Sequence, residues 1–174
     1  MKRKSYEGML CPIARTLERV GEWWSILILR DAMTGITRFE DFQKHLGISP
    51  NMLSRRLSGL VDTGFLERHL YSESPPRMEY RLTERGHAFE PILMTFAAFG
   101  SEQFSDPAKP GPVVTRRKTG RQADVRVVDA HTGQVIDWAN YVFTTPPAPL
   151  GVKPKKAKAP ATLAKVPVEA RKRA

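Results

Sequence analysis

With a single cysteine, Cys11, among 174 residues, the chain can form no intramolecular disulfide and no cysteine-rich zinc site. That scarcity fits a reducing, cytoplasmic setting. No segment approaches the roughly 18 uninterrupted apolar residues of a membrane span. The basic start MKRKSYEGMLCPIA also lacks the sustained apolar run of a secretory signal, so a soluble chain with no membrane partner is expected. Catalytic signatures are missing too. His45, His69, His87 and His131 are dispersed, and neither HExxH, G-x-S-x-G nor a phosphate-cradling glycine loop occurs. Nothing gathers an acid, a base and a nucleophile, so the sequence points away from an enzyme and implies no cofactor and no metal.

What is present suffices for a real core, since 41% of the residues are hydrophobic. The net charge of +10 is unevenly spread. Residues 150–174 hold eight Lys or Arg against one Glu, a net +7, which leaves +3 for everything before them. The basic balance therefore reports mostly on a tail, and it favours a polyanionic partner, either nucleic acid or an acidic membrane surface.

The order of elements can be read from periodicity and punctuation. Cys11 to Val20 is a helical pattern with Pro12 suited to the first helical position and Gly21 closing it. EWWSILILRDA, Glu22 to Ala32, is apolar on nearly all sides and reads as a helix buried at the centre. RFEDFQKHL, Arg38 to Leu46, spaces Phe39, Phe42 and Leu46 by three and four. After the tight Gly47–Ile48 connection, Ser49 and Pro50 supply an N-cap and a first-turn proline for SPNMLSRRLSGLVDTGFL. Two short helices joined by a glycine-containing turn form a helix-turn-helix. The second has two unlike faces: Leu53, Leu57, Leu60 and Val61 share one, and Asn51, Ser54, Arg55 and Ser58 cluster opposite. A solvated amphipathic helix would look the same in isolation, so context must decide.

Gly64 stops that helix. Phe65 to Tyr71 alternates like a strand, Ser72 to Arg77 is a proline-containing loop, and Met78 to Leu82 is the returning strand. Thr83, Arg85 and Gly86 open a further helix that keeps its apolar spacing to about Phe104. DPAKPGP is a linker, after which strand-like runs around Lys118 to Gly120 and His131 to Gly133 suggest a small β appendage. Beyond Pro146 the chain is Pro, Ala and Lys, a composition that cannot bury enough apolar surface to fold alone. The expected fold is α+β, mainly helical. A winged helix-turn-helix domain for DNA binding and dimerisation occupies 1–106, the β appendage 107–146, and a disordered basic tail 147–174.

Helix, helix, helix-turn-helix, hairpin, long helix is the winged-helix order, and particular residues narrow the match. CPIARTLERVGEWWSILILRDAMTGITRFEDF, ISPNMLSRRLSGLVDTGFLERHLY and PPRMEYRLTERG together resemble the HxlR family of bacterial winged-helix regulators, over roughly Cys11 to Phe104. The PP-x-x-EY-x-LT-x-x-G run is the specific part. Two departures stand out: Trp23 where a basic residue is common, and Phe99 before Gly100 where tryptophan is usual. Both look like core or interface positions. The resemblance implies a transcriptional regulator that binds double-stranded DNA as a homodimer, with Ser49 to Asp62 as the recognition helix.

The chemistry of that helix supports the implication. Arg grips guanine O6 and N7, Asn grips adenine N6 and N7, and Ser serves either pattern, which makes Asn51, Ser54, Arg55 and Ser58 candidate base readers. Ser49, Arg38, Lys44 and Arg56 are candidate backbone contacts. Arg77 at the wing is a candidate for a minor groove, with a surface bridge to Glu73 or Glu79 as the alternative. Trp23 and Trp24 read as core or dimer packing, and no feature assigns a small-molecule effector. Cys11 precedes Pro12 at a helix start, where backbone N–H groups and the helix dipole favour a thiolate. The resemblance implies an oxidant or electrophile sensor there, and a small buried hydrophobe is the alternative. A winged helix used only to bind proteins is the rival to the whole reading.

Overall fold

The computed structural model of the chain describes residues 5–6, 9–106, 108 and 111–144. The elements are α1 (Pro12–Val20), α2 (Trp23–Met33), α3 (Phe39–Leu46), α4 (Pro50–Asp62), β1 (Leu66–Glu73), β2 (Pro76–Leu82), α5 (Glu84–Ala88) and α6 (Glu90–Phe104). This is a winged helix-turn-helix: α3 and α4 joined by a short turn, then an antiparallel hairpin as the wing. The core is built where the apolar stripes of α2, α3 and α4 meet. Ile28, Leu29, Phe42, Leu53, Leu57 and Leu60 have no exposed surface, and Phe65, Leu66 and Phe89 extend the same cluster beneath the wing.

Local chemistry sets the boundaries. Pro12 and Pro50 occupy first-turn positions, where a missing N–H costs nothing. Gly47 closes α3 in the left-handed region, with φ +63, and its N–H donates to the Gln43 carbonyl at 2.9 Å. A residue with a Cβ is strained in that conformation, which is why the turn between α3 and α4 carries glycine. Thr83 caps α5: its hydroxyl accepts from the Gly86 N–H at 3.2 Å and donates to the Gly64 carbonyl at 2.6 Å, tying the end of the wing to the end of α4. Ser49 stands at the N-cap of α4 as expected but makes no capping bond with its side chain.

Four expectations are revised. The wing is longer and its loop shorter than the prolines suggested, since β1 runs to Glu73, β2 starts at Pro76, and only Ser74 and Pro75 turn between them. The hairpin absorbs an irregularity at Tyr71, between the pairs Leu70–Met78 and Ser72–Arg77. The last helix is not continuous. It breaks at Phe89, because Pro91 has no N–H to donate and its ring excludes the carbonyl four residues earlier. Phe89 itself turns inward and meets Phe65 edge-on at 5.8 Å. The α2 helix is central, but its first residue is not buried, with Trp23 76% exposed. In the appendage, Lys118 to Gly120 and His131 to Gly133 form turn tips rather than strands. Gly120 and Gly133 take positive φ there, and single bridges, Thr115–Gln122 and Val128–Val135, flank the tips.

The chain divides into two compact units between Val135 and Ile136. In the second, the Asp137 carboxylate accepts from the N–H groups of Ala139 and Asn140, both at 2.9 Å, and Trp138 meets Phe143 at 5.4 Å. The tail expected to be disordered over 147–174 and three of the seven residues of the DPAKPGP linker lie outside the described residues. Among the described residues no helix is long and apolar enough to cross a membrane.

Candidate nucleic-acid interface

The α4 helix separates its two faces cleanly. Leu53, Leu57 and Leu60 point into the core, whereas Asn51, Ser54 and Arg55 are exposed and Ser58 is half-buried beside them. Ser49, exposed at the N-terminal end, adds a hydroxyl that no capping bond consumes. Packing thus fixes the helix from one side and leaves the hydrogen-bonding groups on the other.

The other candidate cations lie on neighbouring elements. Lys44, on the last turn of α3, is exposed, as is Arg77 on β2 opposite Ser72. Among the described residues no ion pair engages Lys44, Arg55 or Arg77, so the bridge from Arg77 to Glu73 or Glu79 does not form. Arg38 caps α3 and its guanidinium lies over the Tyr71 ring at 4.6 Å, which joins the start of α3 to the wing. Arg56 is turned elsewhere. Its Nη2 pairs with the Glu22 carboxylate at 3.0 Å, with both side chains largely covered, so it ties α4 to the start of α2. That leaves it outside the exposed face.

Three polar groups that periodicity alone did not single out hold these elements in place. Asp31, 1% exposed, accepts from Arg30 Nη2 and from His45 Nδ1, both at 2.7 Å, and so links α2 to the end of α3. Arg68 on β1 donates from Nη2 to Ser58 Oγ at 3.0 Å and lies over the ring of its strand neighbour Tyr80 at 5.9 Å. Arg68 is exposed, and alternation places it on the same side of the strand as buried Leu66, which was the signal available in the sequence. Glu79, 8% exposed, accepts from Thr37 Oγ1 at 3.0 Å and Arg81 Nε at 2.7 Å, while the neighbouring Tyr80 N–H donates to the Thr37 carbonyl at 2.8 Å. The root of the wing is therefore pinned to the loop before α3.

Cys11 is exposed at the N-cap of α1, which sets aside its reading as a buried hydrophobe. Trp24 packs against the core, and Trp23 is left outside it. Trp23 also borders a groove of about 690 Å³ between α1, α2 and α6, lined by Tyr6, Leu17, Ile26, Leu27 and Phe96.

A helix-turn-helix with an exposed polar second helix and a pinned wing defines the winged-helix class of DNA-binding proteins. The comparisons with known proteins place the chain within that class. The model of the HxlR-like helix-turn-helix family matches residues 19–108. An HTH-type transcriptional regulator of Mycobacterium tuberculosis is 40% identical over 146 residues, covering 83% of this chain and 90% of that protein. A crystal structure described as the transcription factor PA1607 superposes with a TM-score of 0.73 at 34% identity, over 81% of this chain and 99% of that one. The oxidized form of the redox regulator HypR aligns with a TM-score of 0.51 at 31% identity, over 55% of this chain and all of that one. The chain belongs to the HxlR-like helix-turn-helix family. Its relatives carry the names of transcriptional regulators, proteins that act by binding rather than by catalysis.

The Glu79 clamp makes a pH-dependent contribution. Its hydrogen bonds from Arg81 and then Thr37, with the charges of Arg81 and Arg38, hold the carboxyl below its ordinary value of 4.5, against the opposing effect of burial. A carboxyl depressed in the folded state stabilises the fold fully above the unfolded value and loses that contribution as pH falls through the folded one. Glu79→Gln is expected to be less stable than the wild type at neutral pH, with the gap closing below pH 4.5. Urea unfolding across a pH series measures it.

Proposed function

We propose that the protein is a cytoplasmic, sequence-specific transcriptional regulator that inserts α4 into the major groove of a pseudo-palindromic operator, as a homodimer. The observation that carries this reading is the polar row of exposed Asn51, Ser54 and Arg55 with half-buried Ser58, held by three fully buried leucines of the same helix. Those four read base edges, with Arg55 suited to guanine and Asn51 to adenine. Ser49, Lys44 and Arg38 contact the backbone, and Arg77 extends the wing toward a minor groove. Residues 1–106 carry DNA binding and dimerisation. Residues 107–146 are the appendage, and the basic residues of 147–174 add sequence-independent attraction to phosphate.

A second copy is called for by the far side of the domain. The α6 helix has no buried residue: Ile92, Met94, Phe96, Phe99 and Phe104 are 48–77% exposed, and Trp23, which shares the groove with Phe96, is exposed as well. Monomeric proteins rarely leave so much contiguous apolar surface in water. One recognition helix also spans few base pairs, so a twofold partner supplies the specificity. Cys11, exposed at the start of α1, is suited to oxidation or alkylation beside that interface, in line with the likeness to a redox regulator.

Selection of bound sites from a random duplex pool tests the central claim. A palindromic consensus is expected, and Arg55→Ala or Asn51→Ala should each cost about 1–3 kcal/mol in specific affinity and relax one position. A pool with no consensus would instead favour a winged helix that binds only proteins. The 19.6 kDa chain is expected to sediment as a dimer at micromolar concentration and Phe96→Glu as a monomer. A monomeric wild type would remove the twofold reading. Oxidant is expected to weaken operator binding by the wild type but not by Cys11→Ser, and equal responses would return Cys11 to a passive role.

A further inference from the structure

We propose that Arg68, on the wing strand, is a positioning residue that sets which bases Ser58 accepts. The proposal rests on α4 being the major-groove helix and deepens that reading. Ser58, half-buried, is the last member of the polar row on α4, and its hydroxyl is the only one of the row that a cation engages among the described residues: Arg68 Nη2 donates to Ser58 Oγ at 3.0 Å. The arginine is itself held. Its guanidinium lies over the Tyr80 ring at 5.9 Å, Tyr80 pairs with Arg68 across the hairpin, and the Tyr80 N–H is bound to the Thr37 carbonyl at 2.8 Å. No acidic residue pairs with Arg68 among the described residues, so its charge is not spent elsewhere.

A serine hydroxyl owns one hydrogen and two lone pairs, and free in solution it rotates to donate or accept as its partner requires. Binding an arginine N–H commits one lone pair, and the adjacent positive charge disfavours a second donor approaching the same oxygen. The hydroxyl hydrogen is left pointing outward. Ser58 is thereby converted from an ambiguous reader into a donor, which suits guanine O6 and N7, adenine N7 or thymine O4 in the major groove. Cytosine, whose major-groove edge offers only the N4 amino group, is rejected. The wing strand thus edits the code of the recognition helix without touching a base.

The test is selection from a random duplex pool with the full-length wild type, Ser58→Ala, Arg68→Ala, Arg68→Met and Arg55→Ala, each checked for an unchanged melting profile. Arg68→Met keeps an unbranched stem over Tyr80 while removing every donor. The wild type is expected to exclude cytosine at one position per half-site, and Ser58→Ala to lose preference there. Both Arg68 variants are expected to raise cytosine at that same position by about five- to tenfold, the range of one lost hydrogen bond. Acceptance of cytosine is a gain that mere loosening of the wing would not produce. Arg68 variants that weaken all sequences alike and leave that position unchanged would overturn the inference, as would a Ser58→Ala consensus identical to the wild type. Arg55→Ala separates the two levels. If it shifts the consensus and the Arg68 variants do not, only this inference fails; if it shifts nothing, the α4 reading fails and takes this one with it.

Discussion

The leucine stripe of α4 is the constraint on which the rest depends. Leu53, Leu57 and Leu60 are wholly removed from water against Ile28 and Leu29 of α2 and Phe42 of α3. Burying a leucine side chain stabilises by about 1.5–3 kcal/mol, so rotating α4 about its axis would forfeit several such terms at once. The helix has one rotational setting. Its opposite face is presented at a fixed angle, and the turn at Gly47 sets where α3 leaves off and α4 begins.

Apolar packing is non-directional, and polar ties around the core supply the direction. Asp31 joins α2 to His45 at the end of α3, Arg56 joins α4 to Glu22 at the start of α2, and Glu79 joins the wing to Thr37 before α3. The first joins consecutive helices and the other two span 34 and 42 residues, and each charged member is matched by a partner, without which its burial would be costly. The consequence is that α4 and the wing are each tied to the elements around α2 and α3. Arg38 stacked on Tyr71 and Arg68 bonded to Ser58 add two further links between the wing and the helix-turn-helix.

The turn signals and helical periods were legible in the chain because they arise from local chemistry. Pro12, Pro50, Gly47 and Gly64 mark element ends through backbone restrictions that need no neighbours, and the spacing of Leu53, Leu57 and Leu60 names a core face by geometry alone. Misreadings occurred where local signals were ambiguous. Two consecutive prolines at 75 and 76 read as a loop, yet Pro76 begins β2 at the free end of a two-stranded ribbon, where the lost donor is tolerated. The spacing from Phe89 to Phe104 remained helical across Pro91, so periodicity hid the break that the proline imposes.

By itself, then, the sequence determined the order of elements, the buried leucine stripe of α4, the winged-helix class and the identity of the polar row on α4, since all of these follow from residue spacing and backbone preference. Only the tertiary structure decided which charges are free and which are spent. Arg55 and Arg56 are adjacent in sequence and identical in chemistry. A rotation of about 100° about the helix axis sends the first to solvent and the second to Glu22, a partner 34 residues away. Arg68 likewise looks like any strand arginine until folding brings β1 beside α4 and gives it Ser58. A side chain's electrostatic role depends on what lies within a few ångströms of its tip, and that is fixed by contacts between elements distant along the chain.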